Sequence, residues 1–340
     1  MRRFVFTACL MLSVLLLAPL GLAVLPADAQ TLESIVVYSG RSEELIGPLM
    51  ERFTEETGVE VQVRYGGTAE LAVAILEEGA NSPADVFIAQ DAGALGALAA
   101  EGRLALLPGD IRERVAPRFQ SEAGLWVGVS GRARTVVYNT DLVSADELPD
   151  SIWGFTDPAW ARRIGWAPTN GSFQAFVTAV RLIEGEARAR EWLEGIAANG
   201  AQAYANNTQI VAAVATGEIA AGFVNHYYLY RTLAEDPGQP VQNYFLSDGD
   251  VGALVNVAGA GIVDTSARKG LAQRLILYLL SEGAQQYFAQ STYEYPLVAG
   301  VPAFEGLPPL AEIETPDIDL TALADLEGTL SLLSDVGVLP

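Results

Sequence analysis

Apolar residues follow two alternating spacings along most of this chain. Short β-branched runs end in polar, glycine-containing turns, and stretches with helical spacing follow them. Residues 34–38 form such a run and end in Ser39-Gly40-Arg41-Ser42. From 43 to 57, Leu45, Ile46, Leu49, Met50 and Phe53 predict a helix that Gly58 stops. Residues 59–65 predict a strand, 69–78 a helix and 84–89 a third strand. Strand–helix–strand repetition predicts an α/β fold with a parallel sheet and right-handed crossovers. Ligands of such sheets bind beyond the carboxyl ends of the strands, which points to 38–42 and to Gln90-Asp91. Ser39, Gly40 and Arg41 before a helix make an anion site from backbone N–H groups, hydroxyl and guanidinium, although Arg41 can equally pair with a nearby glutamate. Asp91 is the expected N-cap of the next helix.

Residues 126–139 form a long extended run broken by Gly128 and Gly131, read as a strand crossing into a second lobe. Arg132, Arg134 and Tyr138 stand at even-numbered separations and so share one face of it. They can serve an anion beside a metal, or lie as exposed charges on an edge strand. Residues 163–173 repeat the strand–turn–helix theme, with Thr169, Asn170 and Ser172 as donors and Gly171 allowing close backbone approach. Asn207 stands at another such junction, and the chain returns to the first lobe near Ala258, giving paired hinges. The expected organisation is a leader at 1–29, a first lobe from 30–128 and 258–310, a second lobe at 129–257, and a helical tail at 311–340 packed on the lobes.

The stretch with most chemistry is Asn225-His226-Tyr227-Tyr228, which follows a small-residue strand at 217–224. At a strand-to-helix turn, neighbouring side chains can converge. Two phenol oxygens then form a hard, anionic pair suited to a hard cation. The competing reading is half-buried aromatic packing with hydroxyls in water.

Met1-Arg2-Arg3, the apolar run at 4–24 and Ala27-Asp28-Ala29 read as a secretory signal peptide. Cys9, the one cysteine, would leave with it, which excludes disulfides, thiol catalysis and a zinc ribbon. Removing 1–29 leaves 18 basic and 41 acidic residues, scattered rather than in runs. Such a chain is not a nucleic-acid or anionic-lipid binder, and no second apolar stretch is long enough to span a membrane.

Six segments in order resemble the bacterial ferric-iron-binding proteins, periplasmic solute-binding receptors of ABC importers. They are Val37-Tyr38-Ser39-Gly40-Arg41, 78–86, 131–139, Pro168-Thr169-Asn170-Gly171-Ser172-Phe173, Asn225-His226-Tyr227-Tyr228 and Glu294-Tyr295-Pro296-Leu297. The resemblance implies a two-lobed type II binding-protein fold with two hinge crossings and a ligand cleft. It implies a periplasmic, monomeric receptor that binds ferric iron through tyrosine phenolates with a synergistic carbonate or bicarbonate and delivers it to an inner-membrane permease. Tyr227 and Tyr228 match the family's paired tyrosines, and Tyr138 the third of one branch. The anion would fall to Ser39, Gly40, Arg41, Arg132, Thr169, Asn170, Ser172, Asn207 and Asn225, with Arg41 as the natural clamp. Many relatives carry a histidine and a glutamate where this chain has Ser42 and Gln90, so neither position offers a metal ligand of those types. His226, the only histidine, reads as a local hydrogen-bonding residue.

A same-fold receptor that binds an oxyanion or phosphonate through Ser39, Arg41, Thr169, Ser172 and Asn207 is the alternative. A secreted hydrolase is disfavoured: no Ser-His-Asp set, no phosphate loop and no acidic cluster on the strand-end turns. The expectation is a binding protein rather than an enzyme.

Overall fold

The computed structural model describes residues 33–339 together with Met1. The expected leader, with Cys9 and the cleavage site, otherwise lies outside the described residues. The chain runs β1 (Ser34–Ser39), α1 (Glu43–Thr57), β2 (Glu60–Tyr65), α2 (Thr68–Glu78), β3 (Val86–Ala89), α3 (Ala92–Ala100) and α4 (Gly109–Arg112). β4 (Val127–Asn139), β5 (Ile164–Trp166), α5 (Gly171–Glu184), α6 (Glu186–Ala198), β6 (Gln202–Ala203), α7 (Asn207–Ala215), β7 (Ala221–Asn225) and α8 (Tyr227–Glu235) follow. β8 (Val241–Tyr244), β9 (Val255–Ile262), α9 (Lys269–Leu279), α10 (Glu282–Ser291) and α11 (Leu326–Asp335) complete it.

These elements make two α/β lobes. The strands follow the path β2-β1-β3-β9-β4-β7-β5-β6, with β8 also on β4. β1 is parallel to β2 and β3, and β5 to β6 and β7, as strand–helix–strand repetition predicts. The sheets are mixed, however, because β9 runs antiparallel to β3 and β4 antiparallel to β7, β8 and β9. The crossing strands arrive from the other lobe and need no crossover helix, so nothing forces them parallel.

β4 is buried along its whole length because both lobes use it. Residues 127–133 pair with β9, and residues 134–139 pair with β7 and β8. The strand thus changes lobes between Ala133 and Arg134, beyond the Val129 crossing that the sequence suggests. The two arginines flank that point.

The end of the chain ties the lobes together a second time. A 3₁₀ turn at Leu320–Ala324 lies on α3 so closely that a Cβ on Gly93 or Gly96 would fall 2.4 Å from the carbonyl oxygen of Leu323 or Thr321 respectively. α11 then lies on α5 of the other lobe. The hydroxyls of Thr178 and Thr329 meet there at 2.7 Å, and Arg181 pairs with Asp325 at 3.0 Å.

Gly96→Ala should therefore destabilise the protein by about 1–3 kcal/mol through overpacking, although alanine is otherwise the better helix former. Gly270, with open space around it in α9, is the control and should lose nothing on the same change. Urea unfolding of both variants measures this, and equal midpoints would show that the strap yields.

Candidate metal centre

The tyrosine pair sits at the start of α8, directly after β7. His226 precedes the helix in an αR conformation with no side-chain cap, so the first-turn N–H groups stay free. Tyr227 is fully buried and Tyr228 is half-buried, their rings stacked at 4.3 Å between centroids and 28° between planes. A cleft of about 640 Å³ opens beside them. Gly40, Arg41 and Gln90 line it from the first lobe, and Asn206, Tyr227 and Tyr228 from the second. The amino ends of α1, α7 and α8 all reach this cleft, and each brings a partial positive charge.

Three buried arginines surround the phenols. Arg41, 3% exposed, follows the tight turn in which Gly40 lies against Thr68. Its Nη2 donates to Glu294 at 2.8 Å. Burial alone would lower its pKa, but Glu294 first and then the two tyrosines raise it. Arg134 donates to Asn225 Oδ1 at 3.3 Å and lies 5.0 Å over the ring of Phe176. Its pKa is pushed down to about 9 by burial and then by the like charge of Arg132. Arg132 Nε and Nη1, Arg134 Nη2, Asn225 Nδ2 and the Tyr227 hydroxyl are buried without a hydrogen-bond partner. Buried donors of this kind are rare in folded proteins and mark a place that a ligand completes. Burial first, and then Tyr227, raise the pKa of Tyr228, while Arg41 and Arg132 oppose the rise.

Most residues expected at the site do converge. Asn170, Ser172, Asn207 and Asn225 form one network. Asn207 Nδ2 donates to Asn170 Oδ1 at 3.3 Å and to Ser172 Oγ at 3.4 Å, and its Oδ1 accepts from the Asn225 N–H at 3.1 Å. Two others are occupied elsewhere or exposed. Ser39 is buried and bonds Arg41 through both its backbone groups, so it shapes the turn, and Thr169 is exposed. Asp91 caps α3 as expected.

Tyr138 is a correction. Its hydroxyl donates to Gln242 Oε1 at 2.9 Å, and its backbone lies opposite Ala221 and Gln242. Arg134 lies opposite Asn225, four residues back, so Tyr138 is roughly 13 Å farther along the strand. Even spacing gave it the right face and the wrong reach. Among the described residues, no cluster of three or more His, Cys, Asp or Glu could hold a metal. Glu294 stands in one of the segments that carry the resemblance, but nothing in the sequence marks its carboxylate as buried against Arg41.

His226 is a scaffold. Its Nδ1 accepts from the Ala133 N–H at 3.1 Å, and its Nε2 lies 2.8 Å from the Tyr293 carbonyl, which can only accept. The ring is therefore the neutral Nε2–H tautomer.

Residues 35–294 match the family described as bacterial extracellular solute-binding protein. The chain is 35% identical over 320 residues to the major ferric iron-binding protein of Neisseria meningitidis serogroup B, covering 93% of this chain and 96% of that one. Iron-bound HitA from Pseudomonas aeruginosa has a similar structure, with a TM-score of 0.85 and 33% identity over 90% of this chain and 99% of that one. Trichodesmium IdiA (FutA), in complex with iron and citrate, gives a TM-score of 0.79 and 30% identity over 89% and 99% of the two chains.

Burial pushes the pKa of His226 down from 6.5 to about 4. Between these values the unfolded chain takes up a proton that the native one refuses, so stability falls as the pH falls. His226→Gln should remove about 2 kcal/mol of the loss between about pH 7 and about pH 5, read by urea unfolding at both. Parallel losses in the two proteins would mean that the imidazole titrates freely in the fold.

Proposed function

The chain belongs to the bacterial extracellular solute-binding proteins, in their ferric-iron-binding branch, and we propose that it is an exported periplasmic receptor for ferric iron. Tyr227 and Tyr228 bind the metal as phenolates, and a carbonate or bicarbonate completes the coordination. The two lobes, joined where β4 crosses at Ala133–Arg134, close on this cargo as a hinged pair, and the receptor acts as a monomer that hands iron to an inner-membrane permease.

The observation that carries this reading is a stacked phenol pair beside buried guanidinium groups that keep nitrogens without a hydrogen-bond partner. A free phenol ionises near pH 10, and burial raises Tyr228 further, so phenolate at neutral pH requires a strongly polarising cation. A bound trivalent ion supplies that polarisation directly. Two phenolates leave part of its charge uncompensated, which a dianion covers, and the excess negative charge then faces Arg132 and Arg134. Asn170, Ser172, Asn207 and Asn225 hold the anion's other side from the second lobe.

The unpartnered donors of Arg132, Arg134 and Asn225 also suit an oxyanion alone, which supports the second reading of a metal-free anion receptor.

Titration with ferric citrate in bicarbonate should produce a visible tyrosinate-to-iron charge-transfer band. Tyr227→Phe and Tyr228→Phe should each weaken iron binding by more than about 100-fold, beyond what losing an outer-shell partner costs. Tyr138→Phe should leave the band unchanged. No band under any condition would sink the iron reading and favour the anion receptor.

A further inference from the structure

The Glu294 carboxylate is fully buried and completely satisfied. It accepts from Arg41 Nη2 at 2.8 Å, from Thr292 Oγ1 at 2.9 Å and from Ser130 Oγ at 3.2 Å. The loop that carries it is fixed on both sides. Tyr293, at φ 60°, offers its carbonyl to His226, and the backbone of Tyr295 pairs with Gly131 at 2.8 and 2.9 Å. The carboxylate thus stands on the hinge-side scaffold and points at one arginine of three.

We propose that Glu294 sets the charge of the anion this site accepts, by neutralising one of its three buried arginines and leaving two uncompensated. The inference rests on the anion-assisted reading above and names the residue that governs its anion. A guanidinium in direct contact with a buried carboxylate has little net field left for a ligand, whereas Arg132 and Arg134 have no carboxylate partner among the described residues. Three other acids lie close to the site. Asp91 caps α3 and is near enough to Arg132 to feel its charge but makes no ion pair among the described residues, and Glu43 and Glu44 at the cleft mouth are exposed, Glu44 facing Arg231 at 3.5 Å. In the metal-free site two guanidinium groups therefore have no carboxylate in direct contact among the described residues. A dianion matches them. A monoanion leaves one charge buried without a partner, and a trianion overshoots.

The test uses calorimetric titration of metal-free protein with nitrate, sulfate and citrate. The wild type should prefer sulfate. Glu294→Gln keeps an acceptor for Arg41 but removes the charge, so it should bind sulfate at least about tenfold tighter and shift its preference toward citrate. Glu294→Asp keeps the charge, and Ser130→Ala removes only a hydrogen bond, so both should keep the wild-type order. Unchanged or weaker sulfate binding by Glu294→Gln would overturn the proposal, and so would an altered order in Glu294→Asp. If the wild type binds none of these anions but still develops the iron band, the proposal fails and the iron reading stands.

Discussion

Three guanidinium groups are held out of water around two phenols, and among the described residues only one of them has a carboxylate partner. Removing such an ion from water costs several kcal/mol unless an opposite charge and good hydrogen bonds offset it. Much of the architecture follows from managing that cost. Arg132 and Arg134 lie where β4 passes from one sheet to the other, Arg132 opposite Asn256 of β9 and Arg134 opposite Asn225 of β7. Arg134 also rests on the faces of Phe173 and Phe176, an aromatic surface that tolerates a cation where water is absent. The helix amino ends around the cleft add positive potential, and the asparagine network presents amides rather than acids. The interior is thus prepared for negative charge, while the surface of the chain is strongly acidic.

Hinge and site share one set of contacts. His226 joins β4 to the loop at Tyr293, and the next two residues are the phenols. Gln285 accepts from the Leu297 N–H at 2.7 Å and donates to the Val129 carbonyl at 2.8 Å, tying the same loop to the same strand. A change in lobe angle at Ala133–Arg134 therefore acts directly on the groups that face the cleft. The strap from α3 to α5 is a separate tie between the lobes.

Much of this could be read from the sequence because the relevant signals are local. Strand-end turns at Gly40-Arg41, Asn170-Ser172 and Asn207 follow from periodicity and glycine placement, and the tyrosine pair from its position at a strand-to-helix boundary. Distance along a strand is not local in the same way. Parity assigned Tyr138 a face, but only the pairing register shows that Gln242 is its neighbour. Arg41 and Glu294 are 253 residues apart, and no spacing rule joins them. Ser39 was legible as a turn residue, yet whether its hydroxyl faces ligand or backbone depends on φ and ψ that the sequence does not display. The mixed sheets were hidden for a similar reason, since a returning strand carries no mark of its direction.

β9 lies between β3 and β4 in the finished sheet, although more than a hundred residues separate it from either end of the first lobe's opening segment. Until it arrives, β3 has a bare edge of four residues that are all apolar and all buried in the native state. Such an edge is a template for pairing with another chain. The second lobe must therefore be made, and set aside, while the first waits incomplete. Early-chain fragments that end before β9 should be the sticky species of this protein's folding, and sequestering them is a natural task for a chaperone.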